Sequence, residues 1–163
     1  MTKQKITKWL TTRRLVRGAV VAALYTALTL ALAPIAFGPL QLRVSEALCI
    51  LPILLPETIP GLFIGCLLSN LLAGQPWQDV VFGPLATLLA GILTYLLRKK
   101  PLLAALPPVL VNAVVIGIVL SWTLNLPLLL TMGEIALGQT AACYALGIPL
   151  LLLIKRLPES VLS

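Results

Sequence analysis

Eleven of the twelve lysines and arginines of this 163-residue chain fall in three tight blocks, and long apolar runs separate the blocks. Lys3, Lys5, Lys8, Arg13, Arg14 and Arg17 precede the first run, Arg98 to Lys100 form the second block, and Lys155 with Arg156 form the third. Such clustering is a topology signal, because lysine and arginine are retained on the cytoplasmic side of membrane spans. Nucleic-acid binding would need a basic stripe along one face, so the net charge of +7 implies no nucleic-acid partner.

The runs between the blocks are apolar enough for lipid. Mean hydropathy is +1.06, and 10% of residues are charged, against about 25% in soluble domains. A hydrocarbon crossing takes about 20 residues, which leaves room for about six short spans and no soluble domain. The expected fold is an all-α integral membrane protein. Residues 1–14 form a basic cytoplasmic segment, and 15–163 form a single six-helix transmembrane domain. The first run is too long for a removable signal peptide and lacks a small-residue cleavage site, so it reads as a permanent span.

Span one is expected from about Leu15 to Phe37, closed by Gly38 and Pro39. From Ala47 to Ala73 the sequence is apolar but broken by Pro52, Pro56 and Pro60, giving two short spans around a turn at Glu57 and Thr58. Further spans follow at Val80 to Leu97, Leu102 to Trp122 and Glu134 to Ile154. With six crossings and the amino terminus inside, all three basic blocks and both termini are cytoplasmic. Merging the broken pair into one span strands the last block outside.

The twelfth basic residue, Arg43, stands with Ser45 and Glu46 in FGPLQLRVSEALCILP, between two apolar segments. An ionisable group near hydrocarbon is costly unless it is paired or lines a wet cavity, so it marks a candidate site. Of the five acids, Glu46, Asp79 and Glu134 gather at the outer ends of the expected helices, while Glu57 and Glu159 face the cytoplasm. Each of the three outer acids also stands where a carboxylate caps a helix and meets its dipole, and capping alone accounts for any one of them. Arg43, three residues from Glu46, is a neutralising partner in the same bland reading. Asn70 lies about one turn below the outer rim, and Asn112 lies near the middle of span five. A mid-span amide bonds either a neighbouring helix or a ligand.

Ala19, Ala23, Ala27 and Ala31 recur every four residues along span one, a small-residue ridge that lets a second helix approach closely, within the chain or from a partner. There is no GxxxxGK[ST] phosphate loop and no histidine, so neither ATP hydrolysis by that route nor the commonest general base is available, and the chain reads as no enzyme. Cys49, Cys66 and Cys143 lack CxxC spacing and read as small buried hydrophobes rather than metal ligands. No cofactor is implied. Trp77 and Trp122 fit an interfacial aromatic belt, with stacking on a ligand as the alternative.

FGPLQLRVSEALCILP from Phe37, IPGLFIGCLLSNLL from Ile59, DVVFGPLATLLAGILTYLLR from Asp79, LPPVLVNAVVIG from Leu106 and GEIALGQTAACYALGIPLLL from Gly133 together resemble the QueT family. These proteins are the substrate-binding S-components of energy-coupling factor transporters for queuosine precursors. The resemblance implies a six-helix bundle that captures a 7-deazaguanine outside the cell. It also implies partners: a transmembrane coupling subunit and two cytoplasmic ATPases, which would supply the missing phosphate loop. Docking through an AxxxA ridge maps onto Ala19, Ala23 and Ala27, and delivery by toppling of the whole subunit in the membrane is implied likewise.

A deazaguanine presents adjacent ring and amino N–H donors that one carboxylate accepts in bidentate fashion, and an aminomethyl arm adds a cation for a second carboxylate. Glu134 and Glu46 are expected in these two roles, in either order, beside Arg43. Asn112 and Asn70 read the remaining polar edges, Trp122 or Tyr144 stacks on the ring, and Asp79 is held in reserve. An S-component for another vitamin or nucleobase is the nearest alternative. A structural membrane subunit, with the acids as caps, is a further one.

Overall fold

The computed structural model describes residues 11–38 and 41–156. Lys3, Lys5 and Lys8 of the first basic block, Pro39 of the expected first stop, and Glu159 lie outside the described residues.

The described chain is helical throughout. Helix α1 spans Thr12–Ala31 and a short helix α2 spans Ala33–Ala36. The break at Leu32 follows from Pro34, which has no N–H for the ladder and whose ring clashes with the carbonyl four residues back. In the first turn of α2 the same ring is tolerated. A 3₁₀ helix spans Val44–Ile53, followed by α3 at Thr58–Leu72, α4 at Trp77–Leu96, α5 at Pro101–Ala104 and α6 at Leu106–Leu124. The last membrane segment is α7 at Leu128–Thr140, a π-helical stretch at Ala141–Gly147 and α8 at Ile148–Ile154.

Four segments are long and apolar enough to cross a membrane: Thr12–Ala31, Trp77–Leu96, Pro101–Leu124 and Leu128–Ile154. They correspond to expected spans one, four, five and six, the last beginning six residues earlier than Glu134. The broken pair becomes the two shorter apolar helices Val44–Ile53 and Thr58–Leu72. Ten 3₁₀ residues rise about 20 Å and fifteen α residues about 22 Å. Both fall short of the roughly 30 Å hydrocarbon core.

The short 3₁₀ helix is the centre of the bundle. It touches α1, α3, α4, α5, the π-helical stretch and α8, while α1, α3, α4, α6 and α7 pack in succession around it. From Ser45 to Ile53 every residue is buried. Glycine sets the closest approach in the wall: a Cβ at Gly61 would strike the carbonyl oxygen of Gly18, so α3 lies directly on the backbone of α1. The polarity of the bundle is that of a protein in lipid. Leu24, Leu68, Leu85, Ile118 and Leu137 point outward, whereas Arg43, Glu46, Asn70, Asp79, Asn112 and Gln139 are buried.

Candidate functional site

The centre of the site is Glu46, in the first turn of the 3₁₀ helix and 1% exposed. Tyr25 of α1 donates its hydroxyl hydrogen to Oε1 of Glu46. Cys49, one 3₁₀ turn on, donates its thiol hydrogen to Oε2 at 3.0 Å. One donor sits on each oxygen, and each keeps a lone pair. The arrangement is braced from α1, where the Thr29 hydroxyl donates to the Tyr25 carbonyl at 2.8 Å and lies 2.7 Å from the Ser45 hydroxyl. Glu46 is thus bound through its side chain inside the bundle and does not act as a surface cap.

Arg43 precedes the 3₁₀ helix in extended conformation, with φ −87° and ψ 99°. It is therefore off the helical register that would bring it onto Glu46, and among the described residues the two form no ion pair within 4 Å. Its guanidinium donates instead to the Ala36 carbonyl at 3.4 Å and to the Cys66 sulfur at 3.8 Å, and lies 4.8 Å from the centre of the Phe37 ring. These contacts are long for a buried cation, so its donors remain available to a charged or closer acceptor. Just before it, Gln41 adopts the left-handed conformation at φ 42°. This closes a turn in which Gln41 N–H bonds the Gly38 carbonyl and Arg43 N–H bonds the Gln41 carbonyl, both at 2.9 Å.

Gln41, Arg43 and Glu46 meet Thr87 of α4, Asn112 of α6 and Gln139 of α7 around a narrow polar space, with Gly83 and Ile116 completing its wall. The walls stand closer than a water molecule's width, so a ring-sized ligand has to part these side chains. The Thr87 hydroxyl is committed to the Gly83 carbonyl at 3.1 Å. Asn112 is 3% exposed, and its Nδ2 has no hydrogen-bond partner among the described residues.

Asn70 and Asp79 form a layer behind this space. Asn70 Nδ2 donates to the Asp79 carbonyl at 2.8 Å, while Asn70 Oδ1 and Asp79 Oδ1, both buried, have no partner among the described residues. Gly83 separates the layer from the site, and a Cβ there would sit 2.7 Å from Asn70 Nδ2.

Glu134 stands apart. It is half-buried and lines a neighbouring space of about 370 Å³ with Thr131, Leu130 and Phe37, and Gln41 is the residue common to that space and the polar one. Trp122 is 65% exposed and Tyr144 donates its hydroxyl to the Leu102 carbonyl at 2.9 Å, so neither ring faces the polar space. Ala19, Ala23 and Ala27 are all exposed on α1. Ala19 and Ala23 line an apolar groove of about 550 Å³ between α1 and α3, and Glu57 at its end pairs with Arg17 at 3.0 Å.

The structure therefore brings together Arg43, Glu46 and Asn112 of the expected residues, places Asn70 and Asp79 behind them, and sets Glu134, Trp122 and Tyr144 elsewhere. Gln139, Thr87 and Tyr25 escaped the sequence reading. Gln139 carried a usable signal, since it is a mid-span amide like Asn112. Tyr25 and Thr29 carried a weaker one, four residues apart on the inward face of α1. Among the described residues no cluster of three His, Cys, Asp or Glu side chains is placed to hold a metal ion. The site joins a carboxylate, a guanidinium and three amides in a low-dielectric interior. That set suits a planar polar molecule whose donors and acceptors match it.

The sequence model of the QueT transporter family matches residues 15–156. Over 142 residues the chain is 34% identical to a protein of Lactococcus lactis subsp. cremoris (strain MG1363) named queuosine precursor transporter QueT, covering 77% of this chain and 83% of that protein. No solved structure matches the chain.

Proposed function

The chain belongs to the QueT transporter family, multi-pass proteins of the cell membrane, and we propose that it is the substrate-binding S-component of an energy-coupling factor importer for a queuosine precursor. The observation that carries this reading is the carboxylate of Glu46, buried at the centre of a lipid-facing bundle and facing a narrow space lined with amides. A buried carboxylate is expensive in such surroundings unless it is well bonded or serves a ligand. Here two protein donors hold it in place and leave lone pairs for adjacent N–H groups of a 7-deazaguanine. The name of the similar Lactococcus lactis protein supports a ligand of that class.

In this reading all six apolar helices cross or enter the bilayer, both termini are cytoplasmic, and Arg98 to Lys100 mark the inner surface. The polar space opens toward the outer face. The ring lies between Glu46 and the amides of Asn112 and Gln139, with Arg43 beside it. An aminomethyl arm passes Gln41 toward Glu134. The exposed ridge of Ala19, Ala23 and Ala27 receives a helix of the coupling subunit, and two cytoplasmic ATPases drive release. The chain itself catalyses nothing.

Calorimetry on the purified chain tests the reading. Aminomethyl-deazaguanine is expected to bind tightly, guanine more weakly, and riboflavin and thiamine not at all. Glu46→Gln replaces a full acceptor by a half-donor and is expected to weaken binding by about 30-fold or more while the protein stays folded. Silence of the unaltered chain toward every deazaguanine overturns the proposal.

A further inference from the structure

Among the polar groups of the narrow polar space, the Asn112 amide is unusual. It is 3% exposed and lines the same space as Glu46, yet its Nδ2 has no acceptor among the described residues. The acceptors lining the space, Thr87 Oγ1, Gln139 Oε1 and the Glu46 carboxylate, keep free lone pairs, but none of them bonds it. The Thr87 hydroxyl hydrogen goes to the Gly83 carbonyl, and Gln139 Oε1 already receives the thiol of Cys143 at 3.9 Å. The two oxygens of Glu46 are occupied by Tyr25 and Cys49 on one side.

An unpaired donor at this depth costs on the order of 1–3 kcal/mol, and Asn112 sits on a helix whose other buried side chains are almost all apolar. Leucine is nearly isosteric and would avoid that cost. The amide is therefore held for something that arrives with an acceptor.

We infer that Asn112 is the specificity-determining donor for a ring carbonyl of the ligand, placed so that the N–H edge facing Glu46 and the oxygen facing Asn112 belong to one lactam. The ligand class is then an oxo-heterocycle with adjacent N–H donors. A site with a donor at this position discriminates against any analogue that brings a poor acceptor there, because the amide is left buried and unpaired a second time. The assignment rests on the reading of the site given above and adds which atom of the ligand Asn112 reads.

The test is a cycle over one residue and one ligand atom. The probes are 7-deazaguanine and its 6-thioxo analogue, which keeps the ring N–H and amino donors but replaces the oxygen by sulfur, a weak acceptor. The unaltered chain is expected to bind the oxo compound about tenfold tighter than the thioxo compound. In Asn112→Leu that ratio is expected to fall to within about twofold, through weaker binding of the oxo compound alone. Unfolding temperature without ligand separates a ligand role from a structural one. Asn112→Leu is expected to match or exceed the unaltered chain, since the amide bonds nothing in the bundle. Asn112→Ala serves as a second variant that cannot overpack. An unchanged oxo-to-thioxo ratio in both variants overturns the inference while leaving the transporter reading intact. So does loss of folding in both, which would make the amide a support of the bundle. Failure of the unaltered chain to bind either compound removes the transporter reading, and this inference with it.

Discussion

Tyr25 and Glu46 are joined by a hydrogen bond from the phenol to the carboxylate, linking the first helix to the central 3₁₀ helix at the floor of the site. Both residues are fully buried, and the hydroxyls of Thr29 and Ser45, 2.7 Å apart, join the same two elements. The phenol therefore acts on two levels, fixing where the carboxylate points and tying the ligand site to the helix that carries the alanine ridge. Tyr25→Phe removes the donor and leaves the ring. The expected result is a loss of about 1–3 kcal/mol in stability together with weaker deazaguanine binding, read by thermal unfolding and calorimetry on the same sample. Unaltered values in both would show that the bond holds nothing.

The packing of α3 on α1 depends on the absence of side chains at two facing positions. Gly61→Ala places a methyl against the Gly18 carbonyl, so the helices have to separate, at a cost of about 1–3 kcal/mol. Gly133→Ala meets nothing within 4 Å on α7 and removes a flexible residue from a helix. It is expected to leave stability unchanged or raise it by up to about 1 kcal/mol. Denaturation of the two variants side by side checks the contrast.

Glu134 and Glu46 were equivalent candidates by sequence and are not equivalent in space. Glu134→Gln is expected to weaken binding of the aminomethyl compound several-fold through the lost charge pairing, and to leave unsubstituted 7-deazaguanine within about twofold. Glu46→Gln is expected to weaken both. Equal losses for both compounds in Glu134→Gln would mean that the carboxylate reaches the ring after all.

Ala23→Leu adds three carbons to the exposed ridge, on the side of α1 away from the site. Binding of the deazaguanine by the purified chain is expected to stay within about twofold, because no group of the polar space is touched. Co-purification with the proposed coupling subunit, and uptake by cells expressing the proposed complete transporter, are expected to fall at least tenfold, since close helix approach depends on small side chains. Normal uptake by this variant would move the docking surface elsewhere.

The alternative reading of Arg43 as a partner of Glu46 shows how spacing misleads near an element boundary. Three residues bring two side chains together only when both lie on one helix, and Arg43 lies just before the 3₁₀ helix in extended backbone. The expected ring-stacking by Trp122 and Tyr144 met a different difficulty. Their depth in the bilayer was legible, but the direction of each side chain around its helix was set by which neighbours the helix packs against, and both turn away from the polar space.

By itself the sequence determined that the chain is helical and membrane-embedded, where the apolar segments break, and that charge enters the apolar bundle at Arg43 and Glu46. These follow from quantities local to each segment: hydropathy, the missing N–H of proline, and the cost of charge in hydrocarbon. Only the tertiary structure decided that Glu46 meets Tyr25, Asn112 and Gln139, that Glu134 lies in the next space, and that the short broken helix is the centre of the bundle. Those relations depend on how closely glycines such as Gly61 let helices approach and on how each helix is rotated about its axis. Both are settled by packing between segments distant in sequence.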